Sequence, residues 1–141
     1  MSDPLKISEA TALALHAAVH IAGQDNAVTT AEIAESMSAS PAHLAKVLQR
    51  LVRAKLLIAN RGRNGGYRLA READGITLGH VYEALEGAPR SDGCLFAAPV
   101  CRGSDCIMGE AVERARRELW EYLSKTSIKE LAELETKGGS R

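Results

Sequence analysis

Residues 41–71 carry eight lysines and arginines and no aspartate or glutamate. The eight are Lys46, Arg50, Arg53, Lys55, Arg61, Arg63, Arg68 and Arg71. No fold buries so many unpaired charges, so this stretch must lie along a surface with only its apolar residues turned inward. The 141-residue chain has 18 basic and 18 acidic side chains, which leaves ten basic against eighteen acidic outside the block, a net of −8. A positive segment beside an acidic remainder is the footprint of a domain that grips a polyanion with one face.

The apolar residues of the block are spaced for a helix. Leu44, Val47, Leu48, Leu51 and Val52 share one side, and Ala42, His43, Lys46, Gln49, Arg50 and Arg53 share the other. Ser40 followed by Pro41 is a helix start, a capping hydroxyl and then proline in the first turn. Upstream, Thr29 with Glu32 is a capping box that opens a shorter helix through Met37, and Ser38 to Ser40 form the break. Two short helices with a tight join make a helix-turn-helix whose second member carries its charge outward. By itself the pattern describes a solvated helical hairpin equally well.

The following segment separates the two readings. Leu56 to Ala59 and Tyr67 to Ala70 read as strands, and Asn64-Gly65-Gly66 supplies the positive-φ positions of a tight hairpin. A hairpin after a helix-turn-helix is a wing, able to lay Arg61 and Arg63 on phosphates or in a minor groove while the helix enters the major groove. The expected fold class is therefore mainly α with a small β-hairpin: a winged helix-turn-helix domain followed by a long C-terminal helix. Base readout should fall to Ala42, His43, Ala45 and Lys46. Phosphate contact should fall to Thr30, Ser40, Arg50, Arg53, Arg61, Arg63 and Arg68.

The flanks complete the plan. A first helix spans Ile7 to Gly23 with Ser8 as its cap, followed by a polar link to Val28. A short helix spans Thr77 to Glu86. Residues 87–103 are rich in glycine and proline. A long helix is expected from Ser104 or Asp105 to about Leu123. Its narrow stripe of Ile107, Ala111, Ala115, Leu119, Tyr122 and Leu123, flanked by charges, suits pairing between two subunits. Ser127 with Glu130 opens a terminal helix that should fray from Lys137 on. The division that follows is 1–87 for the winged domain, 88–103 for a cysteine-rich loop, and 104–141 for the dimerisation helix and tail.

Apolar content of 45% suffices for one core. No apolar run approaches the ~20 residues that span a bilayer, and no basic-then-apolar leader is visible at the N-terminus. Cys94, Cys101 and Cys106 are an odd, local set in a C-x6-C-x4-C pattern, which argues for metal or redox chemistry over a disulfide framework and for a cytoplasmic protein. There is no Ser/His/Asp set and no phosphate loop, so neither an enzyme nor a small-molecule substrate is expected.

Several segments together resemble the Rrf-type family of bacterial winged-helix transcription regulators. They are Ala14-Leu15-His16, Thr30-Ala31-Glu32-Ile33-Ala34, Leu44-Ala45-Lys46-Val47-Leu48-Gln49-Arg50-Leu51, and above all Arg61-Gly62-Arg63-Asn64-Gly65-Gly66-Tyr67-Arg68-Leu69-Ala70. The resemblance covers nearly the whole chain. It implies a homodimer paired through the long helices, reading the halves of a palindromic operator on double-stranded DNA, most often as a repressor. The three cysteines resemble the branch that binds an iron–sulfur cluster, of either the [2Fe–2S] or the [4Fe–4S] type.

Such clusters take four protein ligands, so one position falls to another group. In one branch that ligand is a histidine three residues after the last cysteine, where this chain has Gly109. In another it is an aspartate of the first helix, where it has Ala12. A third arrangement uses a histidine one helical turn further on, which corresponds to His16. Asp105, Glu110 and Glu9 are further candidates. A helix beginning at Ser104 or Asp105 would place Cys106 in its first turn, where the dipole favours thiolate. Three other uses of the cysteines stay open: a cluster-free thiol or persulfide switch, a zinc site, and a small iron–sulfur electron carrier, for which a basic wing has no purpose.

Overall fold

The computed structural model describes residues 6–89, 107–108 and 110–138. Within them lie six α-helices and a two-stranded hairpin: α1 Glu9–Ala22, α2 Thr30–Met37, α3 Pro41–Arg53, β1 Leu57–Asn60, β2 Gly66–Leu69, α4 Leu78–Glu86, α5 Ala111–Lys125 and α6 Ile128–Gly138. No helix among the described residues is long and apolar enough to cross a membrane.

The starts of the first four helices are those written in the sequence. Ser8 Oγ accepts from the Thr11 N–H at the head of α1. At α2 the Glu32 N–H donates to Thr29 Oγ1 (3.2 Å) and the Thr29 N–H to Glu32 Oε2 (2.8 Å), which closes the capping box. Ser40 caps α3 with Pro41 in the first turn. At α4 the partner of Thr77 is His80, whose Nδ1 accepts from the Thr77 N–H at 3.0 Å in the place where glutamate usually serves.

α1 is the central helix. Its neighbours approach closely because Ala14, Ala17 and Ala18 present almost no side chain, and all three are buried. Against them pack Ile33 of α2, Leu44, Val47, Leu48 and Leu51 of α3, Leu57 of β1, and Val81 and Leu85 of α4. Ile128 and Ala132 of α6 join this same core. α6 is held by main-chain bonds: the Ile128 N–H donates to Ile76 O (2.9 Å) and the Leu78 N–H to Thr126 O (3.0 Å). The helix beyond residue 104 thus closes the core that the first 87 residues begin. A smaller cluster of Leu78, Tyr82 and Leu123 joins α4 to α5, with the Tyr82 and Trp120 rings edge to face at 6.1 Å.

Two boundaries differ from expectation. Both strands sit one residue closer to the wing tip than the sequence estimate, β1 at Leu57–Asn60 and β2 at Gly66–Leu69, and Leu56 at the outer end is taken up in closing α3. Lys55 holds the left-handed position (φ 63°). The Leu56 N–H reaches Leu51 O at 3.0 Å and the Lys55 N–H reaches Val52 O at 2.9 Å, a Schellman closure with lysine where glycine is usual. The second difference is larger. α5 begins at Ala111, and Ile107, Met108 and Glu110 form turns. Gly109, a poor helix former, stands just ahead of the observed start. The expected start at Ser104 or Asp105 is thus corrected to Ala111, and Cys106 itself lies outside the described residues.

Candidate nucleic-acid interface

α3 turns its apolar face inward so completely that its other face is solvent-exposed along its whole length. Ala42, His43, Lys46, Gln49, Arg50 and Arg53 are exposed and Ala45 is half-buried. The Ser40 side chain is engaged as the cap, accepting from the His43 N–H at 3.4 Å. Thr30 opens α2 and is half-buried.

The wing is an antiparallel pair in the register Leu57 with Leu69, Ile58 with Arg68, Ala59 with Tyr67 and Asn60 with Gly66. Its tip is closed by the Gly65 N–H donating to Gly62 O at 2.9 Å, with Gly62 and Asn64 at positive φ. Arg61, Arg63 and Arg68 are all exposed. The link before α2, read in the sequence as plain polar chain, contributes a third strand position. The Val28 N–H donates to Tyr67 O (2.9 Å) and the Tyr67 N–H to Val28 O (2.7 Å). This bridge ties the base of the wing to the start of the helix-turn-helix.

The structure brings several expected residues together. A groove of about 360 Å³ between the end of α3 and the wing is lined by Gln49, Arg53, Ala59, Asn60, Arg61 and Tyr67. Gln49 and Asn60 are contributors absent from the sequence-based set. Gln49 was legible as an outward residue of α3, but nothing in the sequence aimed it at the wing. A wider cleft of about 890 Å³ on the other side of the wing runs past Thr30 and Arg68, with Asp25 and Glu32 among its lining.

One expected phosphate contact also has a partner within the fold. The Arg50 guanidinium is engaged within the fold, its Nη2 donating to Leu85 O at 2.6 Å at the end of α4.

The dimerisation stripe divides in two. Ala111, Ala115 and Tyr122 (55% exposed) face outward on α5, and Ile107 (89% exposed) stands in the turn ahead of it. Leu119 is half-buried against the α4–α5 cluster, and Leu123 is 3% exposed within it. Leu123 is thus corrected from a partner-facing residue to one that anchors α5 on its own chain. Beside Tyr122, Lys125 Nζ lies 2.6 Å from Glu121 Oε1, and this hydrogen bond and charge hold the Glu121 carboxyl below the ordinary carboxylate range.

Cys94, Cys101, Cys106 and Asp105 lie outside the described residues. His16 and Glu9 are exposed on α1, and Glu110 is exposed ahead of α5. Among the described residues no group of three or more His, Cys, Asp or Glu is placed to hold a metal ion.

A helix-turn-helix followed by a hairpin, with a cation-bearing helix face beside cationic strands, defines a winged-helix DNA-binding protein. Comparison with known proteins names the class more closely. A model of the Rrf2 family, described as an iron-dependent transcriptional regulator, matches residues 7–134. The chain belongs to the Rrf2 family of transcriptional regulators. It is 28% identical over 134 residues to a protein of Aquifex aeolicus named as a candidate HTH-type transcriptional regulator, covering 92% of this chain and 93% of that one. Among solved structures it is similar to CymR, the global cysteine regulator of B. subtilis, with TM-score 0.75 and 29% identity over 92% of this chain and 97% of that one. It also shares its fold with T. potens IscR, with TM-score 0.74 and 22% identity over 96% and 93% of the two chains. These relatives carry the names of regulators, in keeping with the reading of this chain as a regulator and not an enzyme.

Proposed function

We propose that this regulator acts as a homodimer on palindromic duplex DNA, and that an iron–sulfur cluster held by Cys94, Cys101 and Cys106 sets its affinity. The observation that carries the DNA reading is the unbroken exposed face of α3 and wing, bearing Lys46, Arg53, Arg61, Arg63 and Arg68 with no carboxylate within the segment. Ala42, His43, Ala45 and Lys46 meet base edges, while Thr30, Ser40 and the wing arginines meet phosphates. Two copies pair through Ile107 ahead of α5 and the outward residues Ala111, Ala115 and Tyr122 on it. Repression is the expected outcome on most operators.

The donor set fits an iron–sulfur group. Three cysteines fall within 13 positions, thiolate is the ligand iron prefers, and the matching family model is described as iron-dependent. His16 supplies the fourth position from the partner subunit, which its exposure on α1 permits. When bound, the cluster supplies a redox-active centre with one labile, non-thiolate corner. A switch of this kind requires that the two occupancies differ in DNA affinity. A second reading, a cluster-free thiol or persulfide switch on the same cysteines, is favoured by the likeness to Staphylococcus aureus CymR, whose structure is described in an oxidized form.

Anaerobic purification followed by a visible spectrum, with iron and sulfide assayed on the same sample, tests the choice. The expected result is a brown protein whose colour is lost in Cys106→Ala. A colourless protein that resists anaerobic cluster reconstitution but still binds duplex DNA replaces the cluster with the thiol switch.

A further inference from the structure

We propose that Arg50 is a positioning residue for DNA binding, fixing the recognition helix α3 to the end of α4 instead of touching the phosphate backbone. The proposal rests on the reading of α3 as the recognition helix.

Leu85 is the next-to-last residue of α4, so its carbonyl has no N–H partner further along the helix and needs a donor from elsewhere. Arg50 supplies one from 35 residues away, at 2.6 Å. The bond is charge-assisted, and a guanidinium at a helix C-terminus also meets the negative end of the dipole. A guanidinium so committed is not disposed to reach a phosphate. Its position on α3 gives the bond leverage. Arg50 is one turn from Lys46 and from Arg53 on the outward face, so holding it fixes the rotation of α3 about its axis and the direction in which both neighbours project.

The adjoining residue extends the tie. Glu86 Oε1 accepts from Ser8 Oγ (2.6 Å) and from Thr11 Oγ1 (2.6 Å), and Thr11 is fully buried. The last turn of α4 thus holds α3 through Leu85 and the head of α1 through Glu86. Gly87 follows at once with a φ of 82°, and from it the chain departs toward the cysteine segment. Arg50 therefore ties the recognition helix to the point where that segment begins.

The salt dependence of DNA binding separates positioning from phosphate contact. Each phosphate neutralised contributes about −0.9 to the slope of log affinity against log salt. The probe is a duplex pool enriched from a randomised library by the wild-type protein, and the variants are Arg50→Met and, as the phosphate reference, Arg61→Met. Arg50→Met is expected to weaken binding roughly tenfold to a hundredfold, the range of one charge-assisted hydrogen bond, with the wild-type slope unchanged. Arg61→Met is expected to lower the magnitude of the slope by about 0.9. If Arg50→Met loses the same increment of slope, or loses no affinity, the positioning role is overturned. Should Arg50→Met fail to fold by circular dichroism, Arg50→Gln removes the same charge and carries the same comparison. A wild-type protein that enriches no duplex overturns the recognition-helix reading itself, a result distinct from a changed slope in one variant.

Discussion

Three glycines allow the docking of the wing to be weighed in parts. Gly75 has ordinary φ and nothing within 4 Å of where a Cβ would stand. Gly62, in the wing tip, has φ +91° but is likewise open around its Cβ position. Gly66, at the base of the wing, has φ +136°, and a Cβ there would lie 2.5 Å from Val28 O and 2.6 Å from Val28 C. Those are backbone atoms and cannot swing aside as a side-chain tip would. Gly75→Ala should be neutral or stabilising by up to about 1 kcal/mol, through the unfolded chain. Gly62→Ala should cost the conformational strain alone, about 1–2 kcal/mol. Gly66→Ala adds to similar strain the loss of both Val28–Tyr67 hydrogen bonds, at about 1 kcal/mol each, for a total of about 3–5 kcal/mol. Against a total stability of about 5–15 kcal/mol that is a large fraction. It should appear in urea titrations at unchanged m-value and as a fall in Tm of roughly 10 °C or more. DNA affinity measured where the variant is still folded should fall as well, because the wing arginines lose their placement relative to α3. If Gly66→Ala proves no more destabilising than Gly62→Ala, the wing is not clamped to the link before α2, and the reasoning fails.

Other perturbations separate roles that the sequence merges. Arg61→Ala should weaken binding on all duplex sequences alike, while Lys46→Ala should also change which sequences are preferred; selection from randomised duplexes would show equal losses everywhere if that division is mistaken. Leu123→Ala should destabilise the fold by about 2–5 kcal/mol at any protein concentration. Tyr122→Ser should leave monomer stability nearly unchanged and shift the dimer equilibrium in analytical ultracentrifugation, and an unaltered dimer would remove that face from the interface. Lys55→Gly should stabilise by about 1 kcal/mol in thermal unfolding, since it relieves a left-handed conformation in a side-chain-bearing residue.

Much of the fold was legible because its signals are local. The caps at Ser8, Thr29, Ser40 and Thr77 each need only a hydroxyl and an N–H within one turn, and all four stand where the sequence set them. The inward and outward faces of α3 follow from spacing alone. Non-local features were not legible. Val28 pairs with Tyr67 across 39 positions, and nothing in Gly23 to Val28 distinguishes a linker from a strand position. Arg50 and Arg53 look alike on a helical projection. Only the tertiary position of Leu85 commits one to a carbonyl and leaves the other lining the groove. Leu123 and Tyr122 are neighbours in sequence, so a stripe drawn one residue too wide assigns to a partner a side chain that anchors the helix at home. The start of α5 failed for a local reason: charged and capping residues from Ser104 on suggested a helix that begins only at Ala111.

The place of α6 has a consequence for how the protein is made. Helix α3 and the wing are complete in sequence by Arg71, but α1, on which they rest, is not covered until Ile128 and Ala132 arrive. At ribosomal rates of about 5–20 residues per second, that interval lasts roughly 3–12 s. During it the basic block is already made while the core beneath it still lacks Ile128 and Ala132. A nascent polypeptide therefore carries the charges that attract DNA before the core that supports α3 and the wing is complete. That core is complete only after the residues that build α6 have been synthesised.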